Sequence, residues 1–263
     1  MTSVMCWIGV DSRGISSVNI AADSRISWAS ESWDQGRKVF AAVKEPHVFG
    51  YYGDIVFPAL AIPTVIELLD RRVVELSATG QWQGPVSTLL RTLWRGYPVS
   101  QRQDFGIIHA VRFGAGMGAD FRLAIHSYRA SADGWKHDQI PMPSVSSALR
   151  ILGSGAAPVR RARARWQSSG ARDTSRAEFS AFCDALAAGS DLHSGGGPQL
   201  VSLYRVGGGR LLGTIFRGRR YIAGRELAGR ENVEPIEWRN ELFERCDGRT
   251  RRRLGEAASH AQP

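Results

Sequence analysis

Thr2-Ser3-Val4-Met5-Cys6-Trp7-Ile8 is a short apolar run, Asp11-Ser12-Arg13-Gly14 a turn cluster, and Val18-Asn19-Ile20-Ala21-Ala22 a second run that ends in Asp23-Ser24-Arg25. Two β-prone runs around a turn predict a hairpin. Lys38-Val39-Phe40-Ala41-Ala42 and His47-Val48-Phe49-Gly50-Tyr51 form a second pair of strand-like segments. Helical spacing follows: Leu60, Val65, Leu68, Leu69 and Val73, with Pro58 near the start and Gly80 after the end, then Val86, Leu89, Leu90, Leu93 and Trp94 up to Gly96. Apolar alternation returns at 105–113 and 121–128 and again at Ala148-Leu149-Arg150-Ile151-Leu152. Residues 156–166 predict a helix with an arginine face. Ser175 and Glu178 form a capping box for another that carries Phe179, Phe182, Cys183 and Leu186. A hairpin over 199–206 and 210–216 closes the series. The order of strands and helices predicts two antiparallel sheets stacked between helical layers. Residues 1–234 read as one domain and 235–263 as a polar, Arg-rich tail.

The 263 residues hold 43% hydrophobic and 22% charged side chains, enough for a sizeable core. No apolar run approaches the roughly 18 residues of a membrane span, and the N-terminus lacks a signal-peptide pattern. Cys6, Cys183 and Cys246 are too few and too irregularly spaced for a disulfide framework or a cysteine zinc site, so the cytoplasm is the expected compartment. His47, His109, His126, His137, His193 and His260 show no metal-ligand spacing. Net charge is +9, and the 34 basic residues include only the lysines Lys38, Lys44 and Lys136. A lysine kept among so many arginines draws attention, because it exchanges protons at accessible pH and arginine does not.

The first residue after Met1 is Thr2. Removal of Met1, usual before a small residue, joins a hydroxyl nucleophile to its own base, the α-amine. With an ordinary pKa of about 7.7–8.0, roughly a third of that amine is neutral at about pH 7.5.

The segments 2–8, Ala21-Ala22-Asp23-Ser24-Arg25, Arg37-Lys38-Val39 and Gly50-Tyr51-Tyr52-Gly53-Asp54 together resemble the opening of a proteasome β-subunit. Leu152-Gly153-Ser154-Gly155 is similar to that family's Gly-Ser-Gly turn, Asp191-Leu192-His193-Ser194-Gly195-Gly196 to its Asp-x-x-Ser-Gly-Gly signature, and 201–206 to the strand that follows. The resemblance spans about residues 2–220. It implies an α+β fold, a four-layer αββα sandwich of two antiparallel sheets, and an N-terminal threonine hydrolase of the proteasome type. Carried over, Thr2 is the nucleophile, Lys38 the charge beside it, Asp23 the partner of Lys38, and Gly53 the oxyanion N–H. Ser154, Asp191 and Ser194 then orient the amine. Substrates would be peptides or unfolded protein; no metal or cofactor is implied. Family members form homo-oligomeric rings, and a regulatory ATPase is a conceivable partner. Structural α-subunits of the family carry a segment ahead of the first strand, whereas this chain starts at Thr2.

Two departures leave alternatives. The hairpin from Thr2 to Asp23 is longer than usual, which makes Cys6 a rival nucleophile after loss of residues 1–5. Tyr51-Tyr52 replaces smaller residues, and Tyr51 is expected to narrow the specificity pocket. An inactive scaffold of the same fold, or an amidohydrolase that does not act on peptides, is the runner-up. Arginines at 160, 161, 163 and 165, at 217, 219 and 220, and at 249 and 251–253 raise a polyanion reading, but no nucleic-acid motif accompanies them. Solvated faces or ring contacts are the favoured assignment.

Overall fold

A computed structural model describes residues 2–28, 30–229 and 231–256; Met1 and residues 257–263 of the expected tail lie outside them. The opening hairpin forms as β1 (Ser3–Asp11) and β2 (Gly14–Ala22), with Val4 opposite Ala22 and Asp11 opposite Gly14. A bulge between Gly9 and Val10 shifts the register at the turn end, and the pairing at the Asp23 end is regular. Next come a small hairpin, β3 (Ile26–Trp28) with β4 (Glu31–Trp33), then β5 (Val39–Ala41) and β6 (His47–Gly53). Helices α1 (Val56–Asp70) and α2 (Gly84–Arg95) precede β7 (Phe105–Phe113), β8 (Asp120–Arg129), β9 (Gly134–Ile140) and β10 (Ser147–Gly153). Helices α3 (Ala156–Gln167) and α4 (Ser175–Ala188) lead to β11 (Gln199–Tyr204) and β12 (Arg210–Phe216). Four short strands follow: β13 (Arg219–Ile222), β14 (Arg225–Leu227), β15 (Trp238–Asn240) and β16 (Arg245–Cys246).

One sheet has the order β10-β1-β2-β11-β12-β13-β14, and the other β5-β6-β7-β8-β9. Side-chain alternation along β1 explains the stacking. Val4, Cys6 and Ile8 meet Val48, Ile108, Ala110 and Leu123 of the second sheet, while Met5 and Trp7 point the other way onto α3 and α4. Phe49, Tyr51, Phe105 and Ile107 on the outer face of the second sheet pack under α1 and α2. The result is a four-layer αββα sandwich, as the resemblance implied.

Some expectations change. The buried stripe of α1 is Phe57, Ala61, Ile62, Val65 and Leu69; Leu60 is exposed because it lies off that face, and Val73 because it falls beyond the helix end. The capping box is not formed. Thr174 caps α4 by accepting from Ala177 N, and the buried Glu178 instead receives both arms of Arg163 and the amide of Gln167. Nor does the fold break at residue 234. Trp238 lies 2% exposed, β15 pairs in parallel with β12, and Trp238 Nε1 donates to Val233 O at 3.0 Å. The sequence around Trp238 looks polar because of its neighbours Glu237 and Arg239, whose half-buried side chains pair with each other.

Candidate active site

Asp23 directly follows β2, and both its carboxylate oxygens are engaged. Oδ1 accepts from Thr2 Oγ1 at 2.7 Å, Lys38 Nζ at 2.8 Å and Ser3 N at 2.9 Å; Oδ2 accepts from Arg25 N and Gly195 N, each at 3.0 Å. Five donors saturate the acceptor sites of this carboxylate, which is shut off from solvent. They also tie together the start of β1, the residue ahead of β5 and the 191–196 turn. Gly153, at φ +88°, is required by the same crowding, since a Cβ there would collide with the carbonyl of Thr2.

Lys38 is fully buried and its ammonium also donates to Arg25 O. Its main chain is held on both sides: Lys38 N donates to Gln199 Oε1 at 3.0 Å, and Tyr51 N donates to Lys38 O at 3.2 Å. Burial pulls the Lys38 pKa down, and the opposing charge and hydrogen bond of Asp23 offset that only in part.

A second net lies on the other side of Thr2. Ser194 Oγ and Ser154 Oγ donate to Asp191 Oδ2 at 2.6 and 2.8 Å, and Ser154 Oγ lies 3.5 Å from Thr2 O. With the Ser194 proton committed to Asp191, the 2.7 Å contact between Ser3 Oγ and Ser194 Oγ makes Ser3 the donor. Burial alone would raise the Asp191 pKa; the hydroxyls of Ser194 and Ser154 and the His193 N–H hold it below its ordinary value.

Six of the seven residues expected from sequence therefore gather in two linked hydrogen-bonded nets: Thr2, Asp23, Lys38, Ser154, Asp191 and Ser194. Gly53 is not hydrogen-bonded into them. It ends β6, two residues beyond the Tyr51 that binds Lys38 O, at φ +86°. There it borders a cleft of 430 Å³ with Ile26, Ser27, Trp28, Asp54, Ile55, Val56, Gln103 and Asp104. Among the described residues, no group of three or more His, Cys, Asp or Glu side chains is placed to hold a metal ion. No helix there is long and apolar enough to cross a membrane.

No protein-family model matches the chain, and no curated protein does. Among solved structures, the crystal structure of eukaryotic HslV from Trypanosoma brucei is similar to it. That likeness has a TM-score of 0.48 and 12% sequence identity, over 76% of this chain and 99% of that one.

Cys6 does not compete for the chemistry. It lies between the sheets on β1, opposite Ile20 and Arg150, and burial pushes its thiol up to about 12. Two residues of the site escaped the sequence reading. Ser3 looked like ordinary strand, and Gln199, a polar residue at the head of an apolar strand, was the available signal. Its amide nitrogen donates to Asp23 O at 2.9 Å and Gly36 O at 2.7 Å.

Four of the six histidines also come together, away from this site, across the second sheet. His47 Nδ1 meets His109 Nε2 at 3.0 Å, His126 Nδ1 meets His137 Nδ1 at 2.9 Å, and the rings of His109 and His126 stack at 5.9 Å. Some of the grouped arginines are tied into the fold, Arg163 by Glu178, Arg160 by Ile151 O and Arg220 by Gly229 O and Gly248 O, while most of the others are exposed.

Proposed function

We propose that the protein is an N-terminal-nucleophile hydrolase that cleaves amide bonds of peptides or unfolded protein through Thr2. The observation that carries this reading is that the Thr2 hydroxyl and the Lys38 ammonium share one buried oxygen of Asp23. A hydroxyl, a fixed carboxylate and a buried cation supply everything for nucleophilic attack except a base that titrates near neutrality. Release of residue 1 would supply it as the Thr2 α-amine.

In the proposed cycle the amine takes the Oγ1 proton as Oγ1 bonds to the substrate carbonyl carbon. The negative charge on the carbonyl oxygen is met by the Gly53 N–H, and the Lys38 ammonium eases loss of the hydroxyl proton. Collapse breaks the C–N bond, and the protonated α-amine passes its proton to the departing nitrogen. An ester on Thr2 remains. Water, deprotonated by the same amine, adds to the ester; the C–Oγ1 bond then breaks, and the proton returns to Thr2. Ser154, Asp191, Ser194 and Ser3 hold the amine in reach of both partners.

Intact-mass and peptide mapping after treatment with an electrophilic peptide test the reading. The expected result is a chain that begins at Thr2 and carries one adduct on that residue. A chain that keeps Met1 and takes no adduct overturns it and leaves a scaffold of the same architecture. Assembly into a homo-oligomer belongs to the same proposal and is read by native mass spectrometry.

A further inference from the structure

The cleft beside Gly53 differs in charge from the rest of this arginine-rich chain. Its apolar walls are Ile26 and Trp28 on one side and Ile55 and Val56 on the other, with Trp28 56% and Val56 53% exposed. Two carboxylates, Asp54 and Asp104, stand in the lining. Asp104 is neutralised by Arg129 at 2.7 Å and also accepts from Ala130 N at 2.8 Å. Asp54 forms no ion pair among the described residues, and its side chain receives only a long, 3.5 Å hydrogen bond from Phe57 N. The neighbouring cations are committed elsewhere. Arg25 is paired to Asp34, Lys38 to Asp23, and Arg37 donates to Val39 O and lies over the Phe40 ring. One uncompensated carboxylate therefore faces a groove that also presents an indole, in a protein with nine more basic than acidic residues.

Tyr51 does not line this cleft: its phenol is buried and donates to Arg37 O at 3.0 Å. A substrate side chain that crosses the cleft from Gly53 toward Asp54 passes Trp28 and Val56. An alkyl stem with a cationic tip fits that path: the stem covers the apolar walls, the charge meets Asp54, and the indole face adds attraction for a cation.

We infer that this cleft selects substrates with a lysine- or arginine-like side chain beside the amide that is cut. The inference rests on Thr2 being the nucleophile, and its test separates the two claims. Three peptide vinyl sulfones, alike except for a terminal arginine, leucine or glutamate side chain, are incubated with the protein, and adducts at Thr2 are timed by mass spectrometry. The arginine probe should react about tenfold faster than the leucine probe, with the glutamate probe slowest. Asp54→Asn, which keeps an acceptor for Phe57 N, should bring the arginine-to-leucine ratio close to one. A leucine or glutamate probe that matches the arginine probe overturns the inference and leaves the nucleophile standing, as does a ratio unmoved by Asp54→Asn. Failure of all three probes to label Thr2 overturns the nucleophile itself, and the inference with it.

Discussion

The Lys38 ammonium and the Asp23 carboxylate are 2.8 Å apart, and neither side chain is reached by solvent. Such a pair is expensive to break on one side only, because the survivor is left charged in a dry site. Asp23→Asn should therefore cost about 3–5 kcal/mol in urea unfolding and abolish adduct formation at Thr2. An Asp23→Asn/Lys38→Met double variant removes the stranded charge, so it should recover part of the stability and none of the labelling. A single variant within about 1 kcal/mol of the native protein would mean that the pair is solvated and that this account of the site is wrong.

The three cysteines offer a test of which residue is the nucleophile. Cys6, Cys183 and Cys246 are all buried, and burial raises the pKa of each thiol. The thiolate is the reactive form, so none should be alkylated by iodoacetamide in the folded protein at pH 7.5, while all three should react in urea. Peptide mapping that finds Cys6 modified under native conditions would restore it as the rival of Thr2.

The layers were legible in the chain for a physical reason. Strands with one face on each core alternate strictly, as Val4, Cys6 and Ile8 do against Met5 and Trp7, and that pattern survives without coordinates. Asp23, Lys38, Asp191 and Ser194 were picked out by the resemblance to proteasome β-subunits, since by pattern alone they read as ordinary strand-end and turn residues. Ser3 and Gln199 were not, since their roles depend on which strands are neighbours. The histidine row was hidden for the same reason. Ile107 lies opposite His126, and His126 opposite His137, only once the register of β7, β8 and β9 is known. Trp238 was lost among charged neighbours whose mutual pairing cannot be read from spacing.

That histidine row sets the acid limit of the fold. Burial lowers all four pKa values: His47 to about 4, His126 to about 3, His109 well below its ordinary value and His137 below its own. Glu45 and Asp70 oppose the shift at His47, and Asp138 does so at His137, where Arg91 adds to it. Among the described residues, His109 Nδ1 and His126 Nε2 have no hydrogen-bond partner. The folded rings thus stay neutral while unfolded ones, with pKa about 6.5, take up protons. Stability from this source is complete above about pH 6.5 and is lost as the pH falls toward the folded values, by about 1.4 kcal/mol per pH unit for each fully buried ring. Urea midpoints between pH 7 and 5 should fall steeply, and His126→Gln should make that fall shallower. An unchanged midpoint across this range would show that the rings are already solvated.

The segment after Glu234 decides whether the first sheet is complete without it. Trp238 packs with Ile215, Leu227, Val233 and Cys246, and it covers Gly213 and Gly248, where any added Cβ would strike its indole. Deleting a buried aromatic of this size costs about 3–5 kcal/mol, so Trp238→Ala should lower the thermal midpoint by several degrees. Truncation after Glu234 should do at least as much, because it uncovers Ile215 and removes the parallel partner of β12. Both variants leave the residues around Asp23 in place, so labelling at Thr2 should persist at temperatures where they remain folded. A truncated chain that melted with the full one would return these residues to the status of a dispensable tail.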